Sequence, residues 1–197
     1  MKVNGVHVYN IVEAMHGARS PLSSWDKGDS YIDENHIDVL GPKDLALARK
    51  LIKAGTEHRK FLRQIMVSLD ILAPVFWWSE FDTYKIGTTR NSTSFMHTGT
   101  RRDLTENDFE KGTDIESINY INKLLREYRE HKSPELFERI RANLPMGYLY
   151  MSTVTMNYEN VLNMIYQREH HKLSQWRYFC EELRKLPYIK EFTQDII

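Results

Sequence analysis

Apolar side chains recur along this chain in two alternating periods, and the switches between the periods mark out its elements. VNGVHVY near the start alternates apolar and polar positions as a short strand does, and IVEAMHGA after it has the spacing of a helix that Gly17 would end. The polar run from Ser20 to Asp38, rich in Ser, Asp and Gly, predicts a loop. Gly41 and Pro42 then open a helix, DLALARKLIKAG, with Leu45, Ala48, Leu51 and Ile52 on one face and Gly55 at its end. In QIMVSLDILAP the period drops to two. Ile65, Val67, Leu69 and Ile71 fall on one side of a strand that Pro74 stops. VFWWSEFDTYK returns to the helical period, with Phe76, Trp77, Phe81 and Tyr84 expected in the core and Lys85 at the helix end.

In the second half, the charged stretch from 98 to 112 predicts a mobile connection. Thr113 or Asp114 can cap the helix IESINYINKLLREYREH, whose Ile115, Ile118, Ile121, Leu124 and Leu125 form one face. Ser133 and Pro134 start a second helix that reaches about Asn143, before Leu144 and Pro145. YLYMSTVTM favours a strand, and NYENVLNMIYQREHHKLSQWRYFCEELRKL is helical in two segments. This order predicts a mixed α/β (α+β) domain, one domain over 1–197, with helices covering a largely antiparallel sheet and a helical segment at about 113–143.

Composition narrows the partners. The 27 basic and 27 acidic residues cancel, so no net field draws nucleic acid or an anionic membrane, and any anion site must be local. Cys180 is the only cysteine, which excludes an internal disulfide or a multi-thiolate zinc site; it suits a buried position in a cytoplasmic protein. No apolar run approaches the roughly 20 residues that span a bilayer, and MKVNGVHVYN lacks the apolar run of a signal peptide.

Two stretches carry candidate chemistry. KIGTTRNSTSFMH, Lys85 to His97, offers two cations and a run of hydroxyls. With a single glycine it is neither a Walker loop nor a dinucleotide fingerprint. It can bind phosphate, or it can be a solvated turn whose hydroxyls bond their own backbone. REHHK, Arg168 to Lys172, lies in the last helical stretch. Its adjacent histidines would stand about 100° apart on a helix and so not share a metal. Arg168, one turn from Met164 and Ile165, can clamp an anion or bond a nearby Glu or helix end.

APVFWWSEFDTYKIG followed by NSTS, then in order R-A-N-L-P, T-M-N, N-M-I-Y-Q-R and S-Q-W, resembles the flavin-dependent thymidylate synthases from about residue 40 to 180. The resemblance implies a homotetramer of α/β subunits that holds FAD and dUMP where subunits meet, with reduced flavin delivering hydride and a reduced folate supplying the carbon. Arg141, Arg168 and Ser94 match nucleotide-binding positions, with Lys85 and Arg90 as further phosphate ligands and Arg168 as the catalytic residue that stabilises charge on the base. Asn157 and Asn163 match positions near the flavin, and Thr83, Tyr84, Lys85 and Asn91 fall on the rest of the cofactor signature. Thr83, Tyr84 and Lys85 stand where the family has Arg-His-Arg, Glu80 where a Gln reads the pyrimidine, Met96 where an Arg binds nucleotide, and Glu159 where a basic residue lies near the cofactor. The family's Glu-His pair aligns with Arg63 and Gln64, with Glu57 and His58 six residues earlier. The expected activity is methylation of dUMP or a related pyrimidine nucleotide. The alternatives are a non-catalytic nucleotide- or partner-binding protein and an enzyme acting on dCMP, whose amino group a carboxylate such as Glu80 could accept from.

Overall fold

The computed structural model describes residues 1–194. Strand β1 (Lys2–Tyr9) leads into helix α1 (Ile11–Arg19), a hairpin of β2 (Tyr31–Ile32) and β3 (Asp38–Val39), and helix α2 (Pro42–Lys53). Then come β4 (Met66–Pro74), α3 (Val75–Phe81), β5 (Thr88–Ser92), α4 (Ile115–His131), α5 (Pro134–Asn143), β6 (Leu149–Asn157), α6 (Tyr158–Arg168), α7 (Ser174–Leu183) and α8 (Ile189–Thr193). A largely antiparallel sheet has the strand order β1-β4-β6-β5. In the hairpin Tyr31 faces Val39 and Ile32 faces Asp38. The central strands alternate as their sequences require, with Val67, Leu69, Ile71 and Ala73 buried in β4 and Ser152, Val154 and Met156 in β6. No helix among the described residues is long and apolar enough to cross a membrane.

KIGTTRNSTSFMH is not a loop throughout. Thr88–Ser92 form the edge strand β5, Thr93 N donates to Met151 O at 2.9 Å, and Phe95–Gly99 make one π-helical turn. The β-branched Thr88 and Thr89 take a strand because β6 offers them a ladder, a long-range partner that local hydroxyl counting does not see. Gly99 sits against the Phe95 ring, so close that a side chain there would collide with it.

The chain forms two compact units. The first comprises residues 1–4, 70–83 and 90–153. Asp114 caps α4 by accepting from Glu116 N at 2.9 Å, and Ser133 caps α5 by accepting from Leu136 N at 3.1 Å. Ile118, Ile121, Leu124 and Leu125 of α4 pack with Leu136 and Ile140 of α5 and with Phe95, Leu104 and Phe109. Ile115, expected on the same face, is 49% exposed because it occupies the first helical position, outside the packed turn. The 98–112 stretch is anchored rather than mobile. Asp103 holds both Arg126 and Arg129, Arg102 makes a bidentate pair with Asp108, and the Asn122 amide takes both backbone groups of Leu104. In α3 the buried aromatics are Trp77, Trp78 and Phe81, with Phe76 only half-buried, since Trp78 and not Phe76 falls on the packed face.

The second unit comprises residues 5–69, 84–89 and 154 onward to the end of the described residues. Helix α1 runs through Gly17 to Arg19: the missing side chain lets Gln64 approach, and a Cβ would stand 2.8 Å from its Oε1. The 20–38 stretch contains two 3-10 turns, Ser20–Leu22 and Trp25–Lys27, besides the hairpin. Its ordering comes from Asp44 on α2. That carboxylate is buried and receives Arg19 Nε, Ser30 Oγ and the backbone N–H of Asp29 and Ser30. Ala48 and Ile52 of α2 are buried as predicted, while Leu45 and Leu51 are half-buried. Helix α6 ends at Arg168, so Glu169 to Leu173 form the turn into α7 and the histidines 170 and 171 are not helical. The 100° helical separation therefore does not describe them, and no group of three potential metal ligands occurs among the described residues.

Candidate functional site

A cavity of about 550 Å³ lies wholly within the first unit. One face of α3 supplies Val75, Trp78, Ser79 and Asp82, positions spaced three and four apart and hence on one side of a helix that continues as a 3-10 turn over Asp82–Tyr84. The end of β5 and the π-helical turn supply Arg90, Ser92, Thr93, Ser94, Phe95 and Met96. Arg141 comes from the last turn of α5, and Tyr150 from β6.

Both guanidinium groups rest on aromatic rings. Arg90 lies 4.6 Å over Trp78, and Arg141 lies 5.4 Å over Phe95. Trp78 is fixed by an Nε1–H bond to Tyr150 O at 3.3 Å, and Arg141 Nη1 donates to the Tyr150 hydroxyl at 2.7 Å. Behind them Tyr148 packs edge-on to Phe95 and Tyr150, and burial pushes its phenol above the usual value, so the ring backs the cavity as a neutral group. Arg90 Nη1 is 3.2 Å from Asp82 Oδ1, yet that buried atom makes no hydrogen bond among the described residues. The carboxylate is within Coulombic reach but off the N–H axis. Two cations, a run of hydroxyls from Ser92 to Ser94 and aromatic walls suit an anionic ligand with a flat ring system.

Of the residues expected from sequence, Arg90, Ser94 and Arg141 come together here, whereas Glu80, Thr83, Lys85 and Asn91 do not line this cavity. Glu80 is half-buried, and Thr83 Oγ1 donates to the Glu80 carbonyl at 2.8 Å. Lys85 and Asn91 are exposed. Asp82, Trp78 and Tyr150 join them without a sequence motif; the α3 spacing that places Trp78 and Asp82 on one face is the signal for two of the three.

The remaining site residues belong to the second unit. The Tyr84 hydroxyl accepts from Arg168 Nε at 3.0 Å and donates to Gln167 Oε1 at 2.8 Å, while the Arg168 guanidinium lies 4.9 Å over Trp176. Asn157 caps α6, its Oδ1 accepting from Asn160 N at 3.0 Å. Gly87, at φ +71°, is pressed against that amide: a Cβ would stand 2.5 Å from Asn157 Nδ2. Asn163 lines a separate cavity of about 300 Å³ with Arg59, Tyr166 and Gln167. Arg59 is committed to Glu159, whose Oε1 takes both its Nε and its Nη2, while the buried Glu159 Oε2 has no hydrogen-bond partner among the described residues.

The Thr83 and Tyr84 hydroxyls and Asn157 Oδ1 are engaged by neighbouring protein atoms, and the buried Glu159 carboxylate, one oxygen of which is unpaired among the described residues, is unfavourable beside a diphosphate.

No protein-family model and no curated protein matches the chain. Solved structures do. The flavin-dependent thymidylate synthase ThyX from Helicobacter pylori, complexed with FAD and dUMP, superposes with a TM-score of 0.74 at 15% identity, over 98% of this chain and 97% of that one. A second structure of ThyX from the same organism with FAD and dUMP gives a TM-score of 0.72 at 15% identity, over 93% and 91%. The UMP/dUMP methylase PolB from Streptomyces cacaoi, bound with 5-Br dUMP, gives 0.59 at 14% identity, over 93% and 88%. Across nearly its whole length, the chain therefore has the fold of the flavin-dependent thymidylate synthases.

Proposed function

We propose that this chain is a pyrimidine-nucleotide-binding protein of the thymidylate synthase ThyX type, holding the nucleotide phosphate between Arg90, Arg141 and the hydroxyls of Ser92 to Ser94. The observation that carries the reading is the pair of aromatic-backed guanidinium groups in one cavity, one with a buried N–H that makes no hydrogen bond among the described residues. Charge-assisted bonds from such donors suit a phosphomonoester, and the aromatic walls suit a base or sugar. That ThyX and PolB were crystallised with dUMP or its bromo analogue supports the choice of a pyrimidine.

The fuller form of the proposal is methylation of dUMP or a related nucleotide in a homotetramer, with Arg168 as the catalytic residue on the base and Lys85 as a further phosphate contact. A bound flavin would supply hydride and a reduced folate the carbon. A second reading, a nucleotide-binding protein without turnover, is favoured by one observation: the Tyr84 and Thr83 hydroxyls and Asn157 Oδ1 bond to their own chain.

Visible absorbance of the purified protein and its melting temperature with FAD, dUMP, UMP and dCMP test both. A ligand that binds the native state raises the melting temperature. Stabilisation by a pyrimidine nucleotide supports the proposal, and a flavin spectrum or stabilisation by FAD selects the catalytic form. Stabilisation by nucleotide alone selects the binding protein, preference for dCMP would point to the changed substrate, and no response to any nucleotide would overturn the proposal.

A further inference from the structure

Resting on the nucleotide-phosphate reading, we propose that Asp82 is a built-in competitor for the anion at Arg90, which tempers the cavity's affinity for a phosphomonoester dianion without abolishing it. Two cations and one carboxylate line the cavity, and the carboxylate is placed to offset one of the cations. Arg90 cannot easily withdraw, because its guanidinium lies over Trp78 and Trp78 is itself bonded to Tyr150 O. Asp82 can. Its side chain is 59% exposed, against 29% for Arg90, and turning it into solvent breaks no hydrogen bond to Arg90 Nη1.

The contact between the two is thus Coulombic without being directional. It lowers the positive potential of the cavity while leaving Nη1 with a donor to offer. An oxygen of a phosphomonoester that accepts from Nη1 in line gains a charge-assisted bond that Asp82 does not make. A dianion also interacts with Arg141, which offsets its repulsion from the carboxylate. Asp82 therefore acts through Arg90 as a positioning residue and needs no contact with the ligand.

The test is calorimetric titration of inorganic phosphate and of dUMP into the wild type, Asp82→Asn, Asp82→Glu and Arg90→Ala, at low and high ionic strength, with ligand-free melting curves to show that each variant is folded. Asp82→Asn is expected to bind phosphate about three- to fivefold more tightly at low salt, with the gain shrinking at high salt as screening removes the repulsion. Asp82→Glu keeps the charge and stays near the wild type, and Arg90→Ala loses phosphate binding. A purely structural role for Asp82 would not give a salt-dependent gain. An Asp82→Asn affinity equal to or weaker than the wild type, or an Asp82→Glu affinity as tight as Asp82→Asn, overturns the competitor role while leaving the nucleotide site standing. Absence of binding in every variant overturns both.

Discussion

Arg168 donates its Nε–H to the Tyr84 hydroxyl at 3.0 Å, so the arginine proposed above to act on a pyrimidine base is held by a tyrosine. The same hydroxyl donates to Gln167, and the Tyr84 ring packs edge-on to Trp176 at 5.8 Å. Tyr84→Phe keeps the ring and deletes both hydrogen bonds. Urea unfolding should show a loss of about 1–2 kcal/mol, because one of the two bonds is to a charged group. Unchanged stability would mean that Arg168 and Gln167 find equivalent partners without the hydroxyl.

Asp44 is the polar centre of the second unit, with a side chain only 4% exposed and paired to Arg19. Burial pushes its carboxyl up, but the hydrogen bonds from Ser30 and Arg19 and from the backbone of Asp29 and Ser30 together outweigh burial and hold it below the ordinary 3.8. A carboxylate depressed in the folded state contributes stability above its unfolded value and loses it as the pH falls towards the folded one. The Asp44 contribution is therefore full above about pH 5 and fades below pH 4. Asp44→Asn should cost about 3 kcal/mol at neutral pH, since it leaves Arg19 buried without its counter-charge. Its stability should also fall less steeply below pH 4 than that of the wild type, measured by denaturant titration across that range.

Asn122 closes two hydrogen bonds with Leu104, accepting from its N–H at 2.7 Å and donating to its carbonyl at 2.8 Å. Asn122→Ala would strand both buried backbone groups, at a cost of about 2–3 kcal/mol. Hydrogen exchange at the Leu104 amide should accelerate in the variant well beyond exchange in β4. Equal protection at Leu104 in both proteins would show that the 98–112 stretch is held by its salt bridges alone.

Burial pushes the Cys180 thiol up to about 11, with Arg184 pulling weakly the other way. The native protein should leave a disulfide reagent unreacted at pH 8 and release its one thiol equivalent only on unfolding. Rapid native labelling would contradict the packing of α7.

Where the periodic signal was local, the sequence was legible. The caps Asp114 and Ser133, the Pro134 start, the buried face from Ile118 to Leu125 and the alternation in β4 all stand where their neighbours in sequence put them. What could not be read depended on partners far along the chain. Thr88–Ser92 become a strand only because β6 lies beside them, and Asp44 and Asn122 are polar residues on helix faces that would be solvated without Arg19 and Leu104 to meet them. The cavity shows the same division. Arg90, Ser94 and Arg141 were visible as donor types and motif positions, but that Trp78 and Phe95 carry the two guanidinium groups follows from tertiary packing.

The central claim is that Arg90 and Arg141 hold the phosphate of a pyrimidine nucleotide in the first unit's cavity. Calorimetric titration of dUMP into the wild type, Arg90→Ala, Arg141→Ala and the exposed control Lys123→Ala tests it most directly. The wild type and Lys123→Ala should bind saturably, and each arginine variant should lose about tenfold or more, from charged bonds of about 1.5–3 kcal/mol each. Folded Arg90→Ala and Arg141→Ala proteins that bind dUMP as tightly as the wild type would contradict it.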